Sequence, residues 1–331
     1  MKKKLYAIII TVVMLANLVC PAMATNINEA NASGEYYEYI DCVNGTSRLV
    51  HESEITDYNV RGTYDCLTTS QKIQMEMYNQ QVEQLADIQS NISQPLTYMG
   101  PYFDVDPYDP NERLYSGVVS IVFKVIDNNN STYLFHVGTG FMADDRTIIT
   151  AAHVYYENSL GSAGTILEKR AYFGVDMSTS NVDLTADLQN YEYRVIDFGV
   201  SPTSYDPITL ENDWFVGVLR SSFYTPHYMF NCYSIDSSIL WEYTRAVGYP
   251  STYSMNMKKS HGKVIEYNEN DTHIITSNRI EPGMSGGPIY AEVGGRSCIA
   301  IISGIDSDGY CNATRMTDDM VDIICDTIIN Y

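Results

Sequence analysis

The 331-residue chain is poor in positive charge: 20 Lys and Arg stand against 41 Asp and Glu, for a formal net charge of −21. Nucleic-acid binders need a basic face to displace counterions from phosphate, so no nucleic-acid partner is expected. No CxxC, HExxH or paired His/Cys spacing occurs, so no metal and no other cofactor is expected. Beyond the N-terminus there is no second apolar run of about 20 residues, so no stable membrane anchor is expected in the mature protein. No internal repeat is visible. Charged residues reach only 18% against 45% hydrophobic. That balance excludes a disordered chain and allows a sizeable core. The 28 tyrosines suit the pleated, half-buried surfaces of a β-rich fold.

The one long apolar run lies at the start. Lys2, Lys3 and Lys4 precede Leu5 to Val19, and Ala22-Met23-Ala24 follows. This is the n-region, h-region and A-x-A order of a secretory signal peptide, with cleavage after Ala24. Residues 1–24 are thus read as a leader and the protein as secreted, with an uncleaved anchor as the alternative. Without Cys20, six cysteines remain: Cys42, Cys66, Cys232, Cys298, Cys311 and Cys325. In an exported chain an even number permits disulfides. Cys298 with Cys311 could staple a hairpin and Cys42 with Cys66 could close a loop; several free buried thiols are the other reading.

From Thr25 to about Pro101 the chain is polar, and its one clear element is a helix around Thr69 to Ser90. There Ile73, Met77, Val82 and Leu85 recur at helical spacing. Pro95, Pro101, Pro107 and Pro110 then read as a linker. Residues 25–101 are either a propeptide, making the protein a zymogen, or an extension that stays attached. Residues 102–331 are read as the main folded domain. Within it, Val118 to Phe123, Thr147 to Thr150, Phe215 to Leu219 and Cys298 to Ile302 are short β-branched and aromatic runs. Asn128-Asn129-Asn130, Gly138-Thr139-Gly140, Asn268 to Asp271 and Gly294-Gly295 read as turns between strands. Many short strands imply an all-β sandwich or barrels. At the end, Thr317 can cap a short helix whose Val321, Ile324, Cys325 and Ile328 share one face.

The strongest chemical signal is Gly283-Met284-Ser285-Gly286-Gly287. Glycines flanking a serine allow a sharp turn and bring backbone N–H groups close to a substrate carbonyl. The pattern also satisfies the nucleophile elbow of α/β-hydrolases, which place their histidine after the serine. None of the six histidines follows Ser285, so that reading fails. The order His, Asp, Ser is available instead. His153 lies in Thr150-Ala151-Ala152-His153, directly after a strand-like run. Asp213 stands at intervals of 60 residues from His153 and 72 from Ser285, where polar sequence gives way to an apolar strand. Asp197, in Val195-Ile196-Asp197-Phe198-Gly199, is a rival for the carboxylate.

The segments Thr150-Ala151-Ala152-His153, Glu211-Asn212-Asp213-Trp214 and Gly283-Met284-Ser285-Gly286-Gly287-Pro288 resemble the three catalytic motifs of chymotrypsin/trypsin-like serine proteases. Gly138 to Met142, Val247 to Pro250, Ser260 to Lys263 and Thr314 to Thr317 resemble segments of the bacterial glutamyl endopeptidase branch. The resemblance covers roughly Leu114 to Tyr331. It implies two antiparallel β-barrels with the active site between them and polypeptide substrates; the oligomeric state is left open, with a monomer favoured. It also implies Ser285 as nucleophile, His153 as general base, Asp213 as orienting carboxylate, and the N–H groups of Gly283 and Ser285 as the oxyanion hole. A catalytically silent protease-like binding module is the alternative.

Three positions depart from the family. Met284 stands where animal trypsin-like enzymes carry an aspartate that pairs with a freed N-terminal amine, and a methionine cannot form that pair. Ile302 stands where glutamyl endopeptidases carry a histidine that reads the substrate carboxylate, and Ile280 replaces a threonine or serine. Arg279, Ile280, Ile302 and Ser303 are the candidate substrate-contacting residues, and the side chain they select is left open between acidic, apolar and mixed.

Overall fold

A computed structural model describes residues 36–80 except 74 and 78, the strand Tyr102–Asp104, and residues 115–331. Within that last span 157–163, 176–183, 225–226, 252–255, 268–271, 292, 294–296 and 307–308 are outside the description. The leader, the linker prolines, Val82, Leu85 and the turns at 268–271 and 294–295 therefore lie outside the described residues.

Six strands close into a first barrel: β4 (Val118–Ile126), β5 (Thr132–Met142), β6 (Thr147–Thr150), β7 (Thr165–Phe173), β8 (Tyr193–Pro202) and β9 (Phe215–Leu219). Their order is β8-β7-β4-β5-β6-β9, and the β8–β9 pairing closes the ring. The second barrel uses β11 (Tyr243–Gly248), β12 (Lys258–Tyr267), β13 (His273–Thr276), β14 (Pro288–Ala291), β15 (Ser297–Ile305) and β16 (Cys311–Arg315). It closes through β15–β16. All ladders within both rings are antiparallel. The four strand-like runs read from the sequence fall in β4, β6, β9 and β15. Closure leaves neither ring with a free edge.

Gly138-Thr139-Gly140 is strand, not turn, because it lies inside β5. A side chain at 138 would strike Val154 at 2.7 Å and the Ser285 carbonyl at 2.9 Å. These glycines serve close approach between layers.

The N-terminal segment is built into the barrels. Strand β1 (Tyr36–Asp41) pairs with the end of β8, past the part that pairs with β7, and also with β2 (Thr46–His51). The short strand β3 (Tyr102–Asp104) pairs with β12. Helix α1 (Thr63–Cys66) lies beside β10 (Asn231–Cys232), which runs parallel to β15. The disulfide joins Cys66 to Cys325, while Cys42, Cys232, Cys298 and Cys311 are free. This corrects both proposed pairings. On the β15–β16 hairpin Cys311 sits opposite Ile305, whereas Cys298 sits opposite Tyr290 and Cys232 on other strands.

The helix expected near Thr69 is present at 69–73, 75–77 and 79–80, but it presents a different stripe. Ile73 and Met77 are exposed, and Met75 is buried. Its inward line is Gln71, Met75 and Asn79, each one turn apart. Gln71 Nε2 donates to the Ile328 carbonyl at 3.5 Å, and Asn79 Oδ1 accepts from Met229 N–H at 3.0 Å. These polar anchors override the apolar spacing.

The C-terminal helix α3 (Asp318–Asn330) starts as read: Thr317 Oγ1 accepts from Met320 N–H at 3.2 Å. Met320, Ile323, Ile324 and Ile328 join the core cluster of the first barrel. Such side chains contribute about 1.5–3 kcal/mol each on burial, against about 1 for the cap. Packing holds this helix, and the cap sets where it begins.

Candidate active site

Register brings His153 and Asp213 together. Strands β6 and β9 pair antiparallel with Thr150 opposite Phe215. Carried past the strand ends, that register sets 152–153 against 212–213. His153 lies on helix α2 (Ala152–Tyr155), the single turn that follows β6. Asp213 follows Asn212, whose φ of 53° lies in the left-handed region that asparagine tolerates. Trp214 N–H closes back on the Asn212 carbonyl at 2.9 Å.

Asp213 is fully buried, and both carboxylate oxygens are engaged by one residue. Oδ2 lies 2.7 Å from His153 Nδ1, and Oδ1 accepts from the His153 backbone N–H at 2.8 Å. A carboxylate only accepts, so Nδ1 carries the proton and the Nε2 lone pair is left to receive another. Asp197 sits elsewhere, on β8, in a two-pronged pair with Arg220 at 2.8–3.1 Å. Asp213 therefore meets the imidazole, and Asp197 does not.

Ser285 stands in the loop before β14. Gly283 and Gly286 have φ of 93° and 84°, and an added Cβ at 286 would lie 2.1 Å from Thr139 O and Thr150 Oγ1. Only glycine meets both demands. Thr139 N–H donates to the Ser285 carbonyl at 2.8 Å, and Gly286 N–H to the Ile302 carbonyl at 2.8 Å. The serine loop of the second barrel is thus tied to β5 of the first barrel, whose paired neighbour β6 leads into His153. Met284 and Gly287 N–H groups bond within the loop at 3.0 and 2.9 Å. Among the described residues, Gly283 and Ser285 N–H make no hydrogen bond to the protein.

The other candidates are less alike in placement. Ile280 and Ile302 are buried in the core cluster of the second barrel, together with Met284. Ser303 is buried, with Oγ 2.8 Å from Thr314 Oγ1. Arg279 is half exposed and pairs with Glu281 at 3.1 Å. Among the described residues no cluster of three or more metal-ligating side chains occurs, and no helix is long and apolar enough to cross a membrane.

One group at the site escaped the sequence reading. His136, on β5, has Nδ1 3.0 Å from Ser120 Oγ and Nε2 2.9 Å from the Tyr249 carbonyl. Desolvation holds its pKa down to about 4, although the carbonyls of Tyr249, Gly283 and Ile121 favour the charged ring. Its only sequence signal was proximity to Gly138-Thr139-Gly140.

Comparison with known proteins agrees with this architecture. The Trypsin family matches residues 120–319. That is more than half of the chain, and the protein belongs to the trypsin family of serine endopeptidases. No curated protein matches it. Among solved structures, a Glu endopeptidase in complex with MPD is 15% identical with a TM-score of 0.50, covering 70% of this chain and 97% of its own. The human heparin binding protein gives the same four values. VesB protease of Vibrio cholerae is 17% identical with a TM-score of 0.49, covering 69% of this chain and 67% of its own. At these identities the first two likenesses speak for the fold alone.

Proposed function

We propose that the protein is a secreted serine endopeptidase that hydrolyses polypeptides through a Ser285–His153–Asp213 triad and an acyl-enzyme. The observation that carries this is the buried Asp213 carboxylate, bonded to both the ring and the backbone N–H of His153. The mechanism follows a well-known template. Ser285 Oγ attacks the scissile carbonyl as His153 Nε2 takes its proton. The imidazolium is stabilised by Asp213, and the oxyanion by the Gly283 and Ser285 N–H groups. His153 then protonates the leaving amine. Water repeats the sequence on the ester, and the acid product leaves.

Secretion is supported by the leader pattern and by the Cys66–Cys325 disulfide, which persists in oxidising compartments. The silent-module alternative is disfavoured because a binding surface has no need of a charge buried against an imidazole. We further infer that residues 36–80 are an attached extension and not a removable propeptide. Tyr37 packs on Trp214 with ring centres 6.1 Å apart, and Glu38 accepts from Tyr156 Oη at 3.1 Å. These contacts stand directly behind Asp213 and His153.

A fluorophosphonate probe tests the reaction. The secreted protein is expected to be labelled, and Ser285→Ala is expected to lose the label. An unlabelled wild type with intact fold contradicts the proposal.

A further inference from the structure

The Gly283–Ser285 loop needs something to hold two N–H groups in a fixed direction. Where the family's animal members place a carboxylate, this chain has Met284, whose side chain is buried in the second barrel's core. No charge at position 284 can organise the loop. The organising contacts come instead from the first barrel.

Thr139 on β5 is fully buried, and its hydroxyl serves two groups at once. Oγ1 accepts from Tyr249 N–H at 2.9 Å and donates to the Gly283 carbonyl at 2.8 Å. A hydroxyl has one proton to give, so the Gly283–Met284 peptide is the group it orients. Tyr249 is held from its other side by His136. A carbonyl can only accept, so the Nε2–H of His136 donates to Tyr249 O, and Nδ1 accepts from the Ser120 hydroxyl. The donors run in one direction: Ser120 to His136, His136 to Tyr249, Tyr249 to Thr139, Thr139 to Gly283. The carbonyls of Gly283 and Ile121 also lie against the His136 ring.

Packing leaves no slack around this chain. A Cβ at Gly283 would lie 2.6 Å from Tyr249 O and 2.9 Å from His136 Nε2. One at Gly248 would lie 2.9 Å from Met284 Cα and 3.0 Å from Thr139 Oγ1. Ser251 adds a bond from the same loop, its N–H reaching Pro282 O at 2.8 Å.

We propose that Thr139 and His136 are positioning residues of the oxyanion hole, joined by a neutral hydrogen-bond chain from Ser120 to Gly283 that does the work of an ion pair at position 284. This rests on the reading of Gly283 and Ser285 as that hole. Substrate binding and transition-state binding then separate. A misaligned donor weakens only the charge that develops on the carbonyl oxygen, so the loss falls on kcat.

The test is Thr139→Val, close in shape but without the hydroxyl, beside Thr139→Ser, which restores it. His136→Phe is the second variant, should Thr139→Val fail to fold. Thr139→Val is expected to lower kcat about 10²-fold with KM within about threefold. Its affinity for a peptide aldehyde, which forms a tetrahedral oxyanion, should fall in parallel, with affinity for a product peptide unchanged. Thr139→Ser should return kcat to within about fivefold of wild type. Retained kcat in a folded Thr139→Val or His136→Phe, or a loss of kcat that Thr139→Ser does not restore, overturns the inference. Fluorophosphonate labelling of the wild type is run alongside: an unlabelled wild type overturns the triad reading itself, whereas a labelled wild type with an unaffected Thr139→Val overturns only the role of the chain.

Discussion

At the scale of single residues, the proposed site rests on two carboxylate oxygens and on two neutral hydrogen-bonding side chains proposed to position it. Asp213→Asn keeps the shape but puts an amide where the carboxylate accepts from His153 Nδ1. The imidazole is then free to take the other tautomer. The expected loss is on the order of 10⁴ in kcat, measured as initial rate on a peptide substrate at neutral pH. A smaller change, below about tenfold, would move the orienting role elsewhere. Asp197→Asn is expected to leave kcat within about twofold, because its partner is Arg220. From the sequence alone these two aspartates were hard to part, since each adjoins an apolar strand. Register parts them, through Thr150 opposite Phe215.

His136 gives a prediction with a definite sign. Its folded pKa is lowered to about 4 from 6.5, so the folded state disfavours the proton that the unfolded state accepts. The neutral ring's contribution is complete above pH 6.5, is lost as pH falls toward 4, and changes no further below that. The full swing is on the order of 3 kcal/mol. Acidic groups with raised pKa, such as Asp319 and Asp322, shift stability in the opposite sense. The measurement is therefore a difference: urea unfolding of wild type and His136→Phe at several pH values. Their stability gap should narrow as pH falls from 6.5 to 4, and a gap that is constant with pH contradicts it.

At the scale of elements, the N-terminal hairpin and the C-terminal helix pack on the first barrel. Removing Cys66 and Cys325 together releases a tie across 259 residues. The cost expected for such a bond is about 2–5 kcal/mol, read by urea unfolding of Cys66→Ala/Cys325→Ala against wild type. A chain shortened to begin at residue 52 loses Tyr37 behind Trp214 and Glu38 behind Tyr156. It is expected to show lower activity and lower Tm than the longer chain that keeps the hairpin. Higher activity after that shortening would mark the hairpin as an inhibitory segment. These elements were only partly legible. Thr317 and the apolar face from Val321 to Ile328 announce the last helix through local chemistry. The disulfide joins segments 259 residues apart, which spacing cannot foresee. The helix near Thr69 turned on Gln71 and Asn79, whose partners lie on distant segments.

At the scale of the whole molecule, two closed barrels supply one piece of the proposed site each. The first carries His153 and Asp213 at the ends of paired strands; the second carries Ser285 on a glycine-shaped loop. The repeated β-branched runs made the all-β fold readable, and the chain order of His, Asp and Ser excluded the α/β-hydrolase alternative. What could not be read was the cross-barrel chain from Ser120 to Gly283. Its links span 110 to 144 residues between β5 and the second barrel, and no local motif shows that Thr139, Tyr249 and Gly283 meet. Glycines at 138 and 140 marked the place, but as close contacts and not as the turn their composition suggested, and Gly248 is a third such contact.

The most direct test of the proposed reaction is to trap its covalent intermediate. The protein is mixed with an activated peptide ester, quenched in acid, digested and mapped by mass spectrometry. The expected result is an acyl group on the peptide containing Ser285, formed in a burst that His153→Ala abolishes. Ester turnover that persists in Ser285→Ala, or an acyl group found on another residue, would contradict it.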